Sequence, residues 1–316
     1  MTTEAAAGSP GLVGPRRPGL LRRLADGDAV PVLAVVLAIV AVWYVGAVLM
    51  NWQVVSDRFA RAGTAVTTGE VVAATLAHDR PVLPAPHQVV RELWRTVVEV
   101  PATSRRSLLF HAQVTLTAAL AGFGIGTALG IALAVAVVHV RALERSLMPW
   151  IIASQTVPIL ALAPIVIVSL GAIGLTGLLP KALISAYLCF FPVAIGMVKG
   201  LQAPDTLSRD LMRTYSATRT QTFAKLRLPA SLPFLFASLK VAAAIAIVGA
   251  IVAELPTGAQ AGLGARLLSG SYYGQTVQIW AALVVSAVLA SALAGLLGLA
   301  ERAVLARTGA LQGARR

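Results

Sequence analysis

Six apolar runs, at roughly 31–50, 112–137, 148–170, 179–199, 234–254 and 277–300, constrain this chain more than any other feature. Each is close to the roughly 20 residues that a helix needs to cross about 30 Å of hydrocarbon. Within a bilayer every backbone N–H and C=O must be paired inside its own segment, so runs of this length are read as helices. The expected fold class is an all-α membrane protein with about six transmembrane helices. Composition agrees: the 316 residues are 57% hydrophobic and 12% charged, with mean hydropathy +0.80. A soluble domain carries about 25% charged residues.

The formal charge of +13 follows from topology. Lys and Arg fall mainly in connections, and no run of like charge is interleaved with aromatic residues, so a nucleic-acid partner is not expected. With the N-terminus inside, the cytoplasmic segments hold Arg16, Arg17, Arg22, Arg23, Arg141, Arg145, Arg209, Arg213, Arg219, Lys225, Arg227, Arg302, Arg307, Arg315 and Arg316. This is the positive-inside pattern, and it assigns an N-in, C-in orientation. The expected organisation is a cytoplasmic tail at 1–30, an uncleaved anchor at 31–50, and an extracytoplasmic loop with a surface helix at 51–111. A five-helix core at 112–300, with a cytoplasmic loop at 200–233, and a tail at 301–316 complete the chain. The helix within 51–111 is expected after Pro84-Ala85-Pro86, with an exposed loop before it. Cys189, the single cysteine, excludes an intramolecular disulfide and reads as a small buried apolar residue.

Gly122, Gly126 and Gly130 recur every fourth residue, which aligns them on one stripe where another helix can approach closely. Ala242, Ala246, Ala250 and Glu254 repeat the spacing. An acid at the end of such a stripe is a candidate for the translocation path, or reaches the outer headgroups. Gln155, Thr156 and Pro158 interrupt the third run and could line that path or mark a packing kink. No P-loop, His-Glu-x-x-His, Gly-x-Ser-x-Gly or metal-ligand constellation occurs, so no catalytic residue, metal or bound cofactor is expected.

The polar segment from Asp210 to Pro229 is basic and helix-prone, in a chain that is otherwise apolar. It resembles the cytoplasmic Glu-Ala-Ala loop of ABC importer permeases: Asp210-Leu211-Met212, Ser216 six residues on, and Leu226-Arg227-Leu228-Pro229 ten after that. Spacing is kept, while identity is kept only at Leu228-Pro229. Ala217–Pro233, Leu83-Pro84-Ala85-Pro86, Phe190-Phe191-Pro192 and Gly249–Glu254 are similar to permeases of the nitrate/sulfonate/taurine group, over roughly 80–310. Ser216 stands where the family has Gly, and Ala118 where it usually has Arg.

The resemblance implies a type I ABC importer permease fold. Separate ATPase subunits would hold ATP and Mg²⁺ and receive the loop in a groove, with Asp210, Leu211, Met212, Arg213, Tyr215, Ser216, Ala217, Phe223, Leu226, Leu228 and Pro229 as the coupling residues. It also implies a solute-binding protein outside, a second copy of the permease and surrounding lipid. By the same resemblance the loop would form two short helices, one of which docks, and Tyr215 and Phe223, eight residues apart and so about 80° around a helix, can join one apolar contact edge. An ATP-independent secondary transporter or channel, and a membrane-embedded enzyme, are the rival readings. Among substrates, the absence of Lys or Arg deep in a run favours a neutral or zwitterionic heterocycle over an anion.

Overall fold

The computed structural model describes residues 29–256 and 259–308, and every regular element among them is helical. Most of the expected tail at 1–30, and the part of the C-terminal tail beyond 308, lie outside the described residues. The chain divides into two units after Ala77.

In the first unit, α1 (Ala29–Arg61) carries the expected anchor and continues 11 residues past Met50. At 1.5 Å per residue its 33 residues reach about 50 Å. The stretch expected to be loop then forms a second helix, α2 (Thr68–Leu76). Its cause is a capping box: the Glu70 N–H donates to Thr67 Oγ1 at 3.4 Å, and the Thr67 N–H donates to Glu70 Oε2 at 2.7 Å.

The second unit opens with α3 (Pro86–Trp94), the helix expected after Pro84-Ala85-Pro86. Proline suits its first position, where no N–H is needed. A π turn at Arg95–Glu99 ends it. There follow α4 (Leu108–His139), α5 (Arg141–Ala153), α6 (Ile159–Ala172), α7 (Leu178–Gln202), α8 (Thr206–Thr214), α9 (Arg219–Thr222), α10 (Leu228–Glu254), α11 (Leu263–Tyr272) and α12 (Thr276–Thr308). A π turn at Phe223–Arg227 joins α9 to α10, making one helical run from Arg219 to Glu254. Pro229 has no N–H to return to the carbonyl of Lys225, and the ladder widens just before it.

Among the described residues five helical runs are long and apolar enough to cross a membrane, and a sixth candidate is broken. The break lies between α5 and α6, which meet at 97°. Val157 precedes Pro158 and is forced extended (ψ 123°), so the helix stops there. The Tyr187 hydroxyl of α7 donates to the Ser154 carbonyl and ties the corner down. At the C-terminal end, α12 runs through Thr308, so residues 301–308 are helix rather than tail.

The core centres on α7. Its small residues receive α4 on one side, where a Cβ on Gly126 would lie 2.8 Å from the Ala186 carbonyl oxygen and one on Gly130 would lie 2.7 Å from that of Phe190. A Cβ on Gly122 would overlap the Ser185 side chain. The other side receives α10, whose Ala242, Ala246 and Ala250 are fully buried. Ser185 Oγ donates to the Ala246 carbonyl at 3.0 Å and Cys189 Sγ to that of Ala242 at 3.3 Å. Cys189 is buried packing, as its place in an apolar run implies.

Candidate functional site

The polar segment folds as a helix, a turn and a second helix. Asp205 caps α8, accepting the Ser208 N–H at 2.8 Å. Hydrogen bonds from the Ser208 hydroxyl and N–H hold its carboxyl below the ordinary value, with a smaller contribution from Arg209. At the other end the Ala217 N–H donates to the Met212 carbonyl at 2.9 Å and the Ser216 N–H to that of Arg213 at 2.8 Å. This six-to-one and five-to-two pair is a Schellman turn, whose C′ residue must be left-handed. Ser216 is that residue, at φ +51°, and is the one non-glycine with positive φ among the described residues. Serine is here a strained substitute for glycine. Thr218 then caps the second helix reciprocally with Gln221, at 2.8 and 3.2 Å.

That turn separates two residues expected on one edge. Tyr215 and Phe223 belong to different helices. Phe223 faces inward, its ring 5.2 Å from that of His139, and packs on the cluster of Ala134, Val137, Met197, Val198 and Leu201. Leu226 is half-buried, and Leu228 and Pro229 are exposed at the start of α10. Tyr215 faces out. Leu207, Leu211 and Tyr215 are 77%, 55% and 76% exposed and recur every fourth residue, so they form a bare apolar stripe along α8. Arg213 pairs with Asp210 at 2.9 Å within the helix. Leu207 escaped the sequence reading, although its spacing to Leu211 and Tyr215 was visible.

At the opposite ends of the spans, Glu254 is fully buried and reaches no headgroup. Its Oε2 accepts from Thr115 Oγ1 at 2.8 Å and from the Gly264 N–H at 3.0 Å, while Lys181 Nζ lies 3.4 Å from Oε1. Thr115 Oγ1 accepts the Leu263 N–H at 2.8 Å, and His111 Nδ1 accepts that of Gly262 at 3.0 Å. His111, Thr115 and Glu254 thus satisfy three consecutive N–H groups at the start of α11, donors that a helix leaves without internal partners. The N-terminal partial charge of α11 favours the carboxylate there, offsetting its place at the C-terminal end of α10. The sequence reading found Glu254 but none of these partners.

Lys181 also donates to the Ala261 carbonyl at 3.2 Å and lines a cavity of about 540 Å³ with Thr176, Pro180, Ala253 and Gln260. Glu254 stands behind the lysine and does not itself line the cavity. Gln155, Thr156 and Pro158 lie exposed at the α5–α6 break and are not among the hydrogen-bond partners of Glu254. Gly122, Gly126 and Gly130 are packing positions.

Comparison with known proteins assigns this architecture. Residues 126–308 match the family of the binding-protein-dependent transport system inner membrane component. The riboflavin transport system permease protein of Chloroflexus aurantiacus is 32% identical over 70% of this chain and 78% of its own length. The formylaminopyrimidine transport permease protein of Halalkalibacterium halodurans is 33% identical over 58% and 68%. The putative aliphatic sulfonates transport permease protein of Bacillus subtilis is 29% identical over 63% and 70%. A permease of this class works with an ATPase and a solute-binding protein, which decides against the ATP-independent carrier or channel. The chain belongs to the binding-protein-dependent transport system inner membrane component family, as a multi-pass inner-membrane permease subunit of an ABC importer.

Proposed function

We propose that ATPase subunits drive this permease through residues 206–227, with Leu207, Leu211 and Tyr215 as the stripe that docks. One observation carries the reading: an amphipathic helix on the positively charged side of the protein leaves these three apolar side chains bare. Phe223 does the complementary work, anchoring the following helix on the inner ends of α4 and α7. A push on α8 then reaches α10 through the unbroken run Arg219–Glu254. ATP and Mg²⁺ sit on the ATPase, and this chain contributes motion rather than hydrolysis.

The test is co-purification of the full chain with its ATPase. Leu211→Asp and Tyr215→Asp should lose the ATPase while inserting normally; wild-type association in both would overturn the docking assignment. Phe223→Asp is a poor probe, because it strikes the core.

A second copy of the chain completes the pathway in this reading. The bare apolar faces of α5 and α6, with Trp150, Leu160 and Val168 exposed, support it. Cysteine at Val168 in a Cys189→Ser background should cross-link between two copies, and monomer alone under oxidation would count against it. For substrate, the cavity lysine is already paired with Glu254, so the wall offers no free cation among the described residues. A neutral or zwitterionic heterocycle fits best, in keeping with the relatives named for riboflavin and formylaminopyrimidine. Tight binding of a sulfonate or nitrate by the partner solute-binding protein would reverse this choice.

A further inference from the structure

A second cavity, of about 380 Å³, has a different character. Arg95, Arg106 and Arg266 line it together with Thr96, Gln275 and Gln278. It lies at the outer ends of the spans, beside Ser107, which caps α4, and Thr276, which opens α12. Both helices begin there, so both turn the positive ends of their dipoles toward this level.

The charges do not balance. Glu92 pairs with Arg95 at 2.7 Å, and no ion pair to Arg106 or Arg266 occurs among the described residues. Arg266 Nε is buried with no hydrogen-bond partner among them, and so is Gln278 Oε1. An unpaired buried guanidinium N–H keeps its full desolvation cost, and native proteins rarely leave one without reason. Burial pulls the Arg266 pKa below its ordinary value, and Arg95 adds to the pull while Glu92 opposes it. A bound anion would relieve both the burial of charge and the repulsion between arginines. Turning the Gln278 amide over presents its NH₂ to the same space.

We propose that Arg95, Arg106, Arg266 and Gln278 form an oxyanion site that takes a phosphate-class group at the outer membrane surface. Guanidinium forks match tetrahedral oxyanions through paired N–H donors. Its place at the first turns of two long apolar helices suits a lipid phosphate. The group is therefore the phosphate of a lipid headgroup or a free phosphate ion. The site is separate from the cavity at Lys181 and does not depend on the substrate reading above.

The experiment uses the full-length chain in maltoside micelles, which carry no phosphate. One arm adds inorganic phosphate against chloride at matched ionic strength and follows thermal stability; the other adds phosphatidylglycerol and counts retained lipids by native mass spectrometry. Arg106→Gln, an exposed position expected to fold, and Arg266→Gln should each weaken binding roughly tenfold. Arg105→Gln, whose side chain does not line the cavity, should leave it unchanged. Response to phosphate identifies a free-ion site, and response to lipid alone identifies a headgroup site. No response in either arm, or equal binding by Arg106→Gln, overturns the assignment.

Discussion

Gly262 lies so close against the carboxyl group of Glu254 that a Cβ on the glycine would fall within it. Its φ of +121° is also one that side-chain-bearing residues avoid. These two facts set the outer end of the bundle, because they allow the N–H groups of residues 262–264 to meet His111, Thr115 and Glu254 at 2.8–3.0 Å. Gly262→Ala should therefore cost roughly 3 kcal/mol or more, adding backbone strain to overpacking against backed-up groups. Gly274→Ala is the control. It too has positive φ, +63°, but open space around its Cβ, so only the conformational penalty of about 1 kcal/mol applies. Thermal unfolding in detergent measures both, and equal losses would refute the steric account.

Lys181 and Glu254 should respond unequally to neutralisation. The lysine side chain is 16% exposed to its cavity, whereas the glutamate is sealed at 0%. Lys181→Met strands a buried carboxylate, and breaking a buried pair in this way costs about 3–5 kcal/mol. Glu254→Gln keeps an acceptor for Thr115 and Gly264 and leaves the lysine partly hydrated, so its cost should be about 1–2 kcal/mol. The double variant should recover most of the loss from Lys181→Met. A double-mutant cycle by thermal unfolding reads this directly. Additive losses would mean that the pair is not coupled.

What the sequence revealed depended on whether the determining contacts were local. Gly122, Gly126 and Gly130 announced close packing, since helical period alone places them on one stripe, and α7 does pack there. The Schellman turn was half visible: spacing located Ser216, but only the backbone revealed that the position is left-handed. The helix α2 is legible in Thr67-x-x-Glu70, although the residues around that box have the composition of a loop. Glu254 was found without its role. Its partners are 139 residues away at Thr115 and 73 away at Lys181, and no periodicity connects such positions. Tyr215 and Phe223 were misjoined for the converse reason, because one turn residue between them cancels any angle computed along a continuous helix.

Ser216→Gly should stabilise the coupling element. Relief of a non-glycine left-handed residue is worth about 1–2 kcal/mol, and the extra freedom of glycine in the unfolded chain returns about 0.5–1 kcal/mol. The net gain is roughly 0.5–1 kcal/mol by the same terms. Ser216→Val should do the opposite, since a β-branched side chain tolerates this region poorly. Protection of the Ser216 and Ala217 amides against hydrogen exchange is the local readout. If the serine were innocuous, glycine would leave that protection unchanged.

The cap on α8 should make this same element sensitive to acid. Asp205 binds the Ser208 hydroxyl and N–H through its ionised form, so its folded pKa is depressed. The stabilisation is therefore present above the free carboxyl value of about 3.9 and is lost as pH falls below it toward the folded value. Asn caps a helix as well as Asp and does not titrate in this range. Asp205→Asn should thus hold the Ser208 amide equally well at neutral pH and keep holding it in acid, where the wild-type cap releases it. Comparing the two proteins at each pH removes the intrinsic pH dependence of exchange. Parallel loss of protection in both would place the acid sensitivity elsewhere, whereas divergence below about pH 4 assigns it to the Asp205 carboxylate and to the entry of the docking helix.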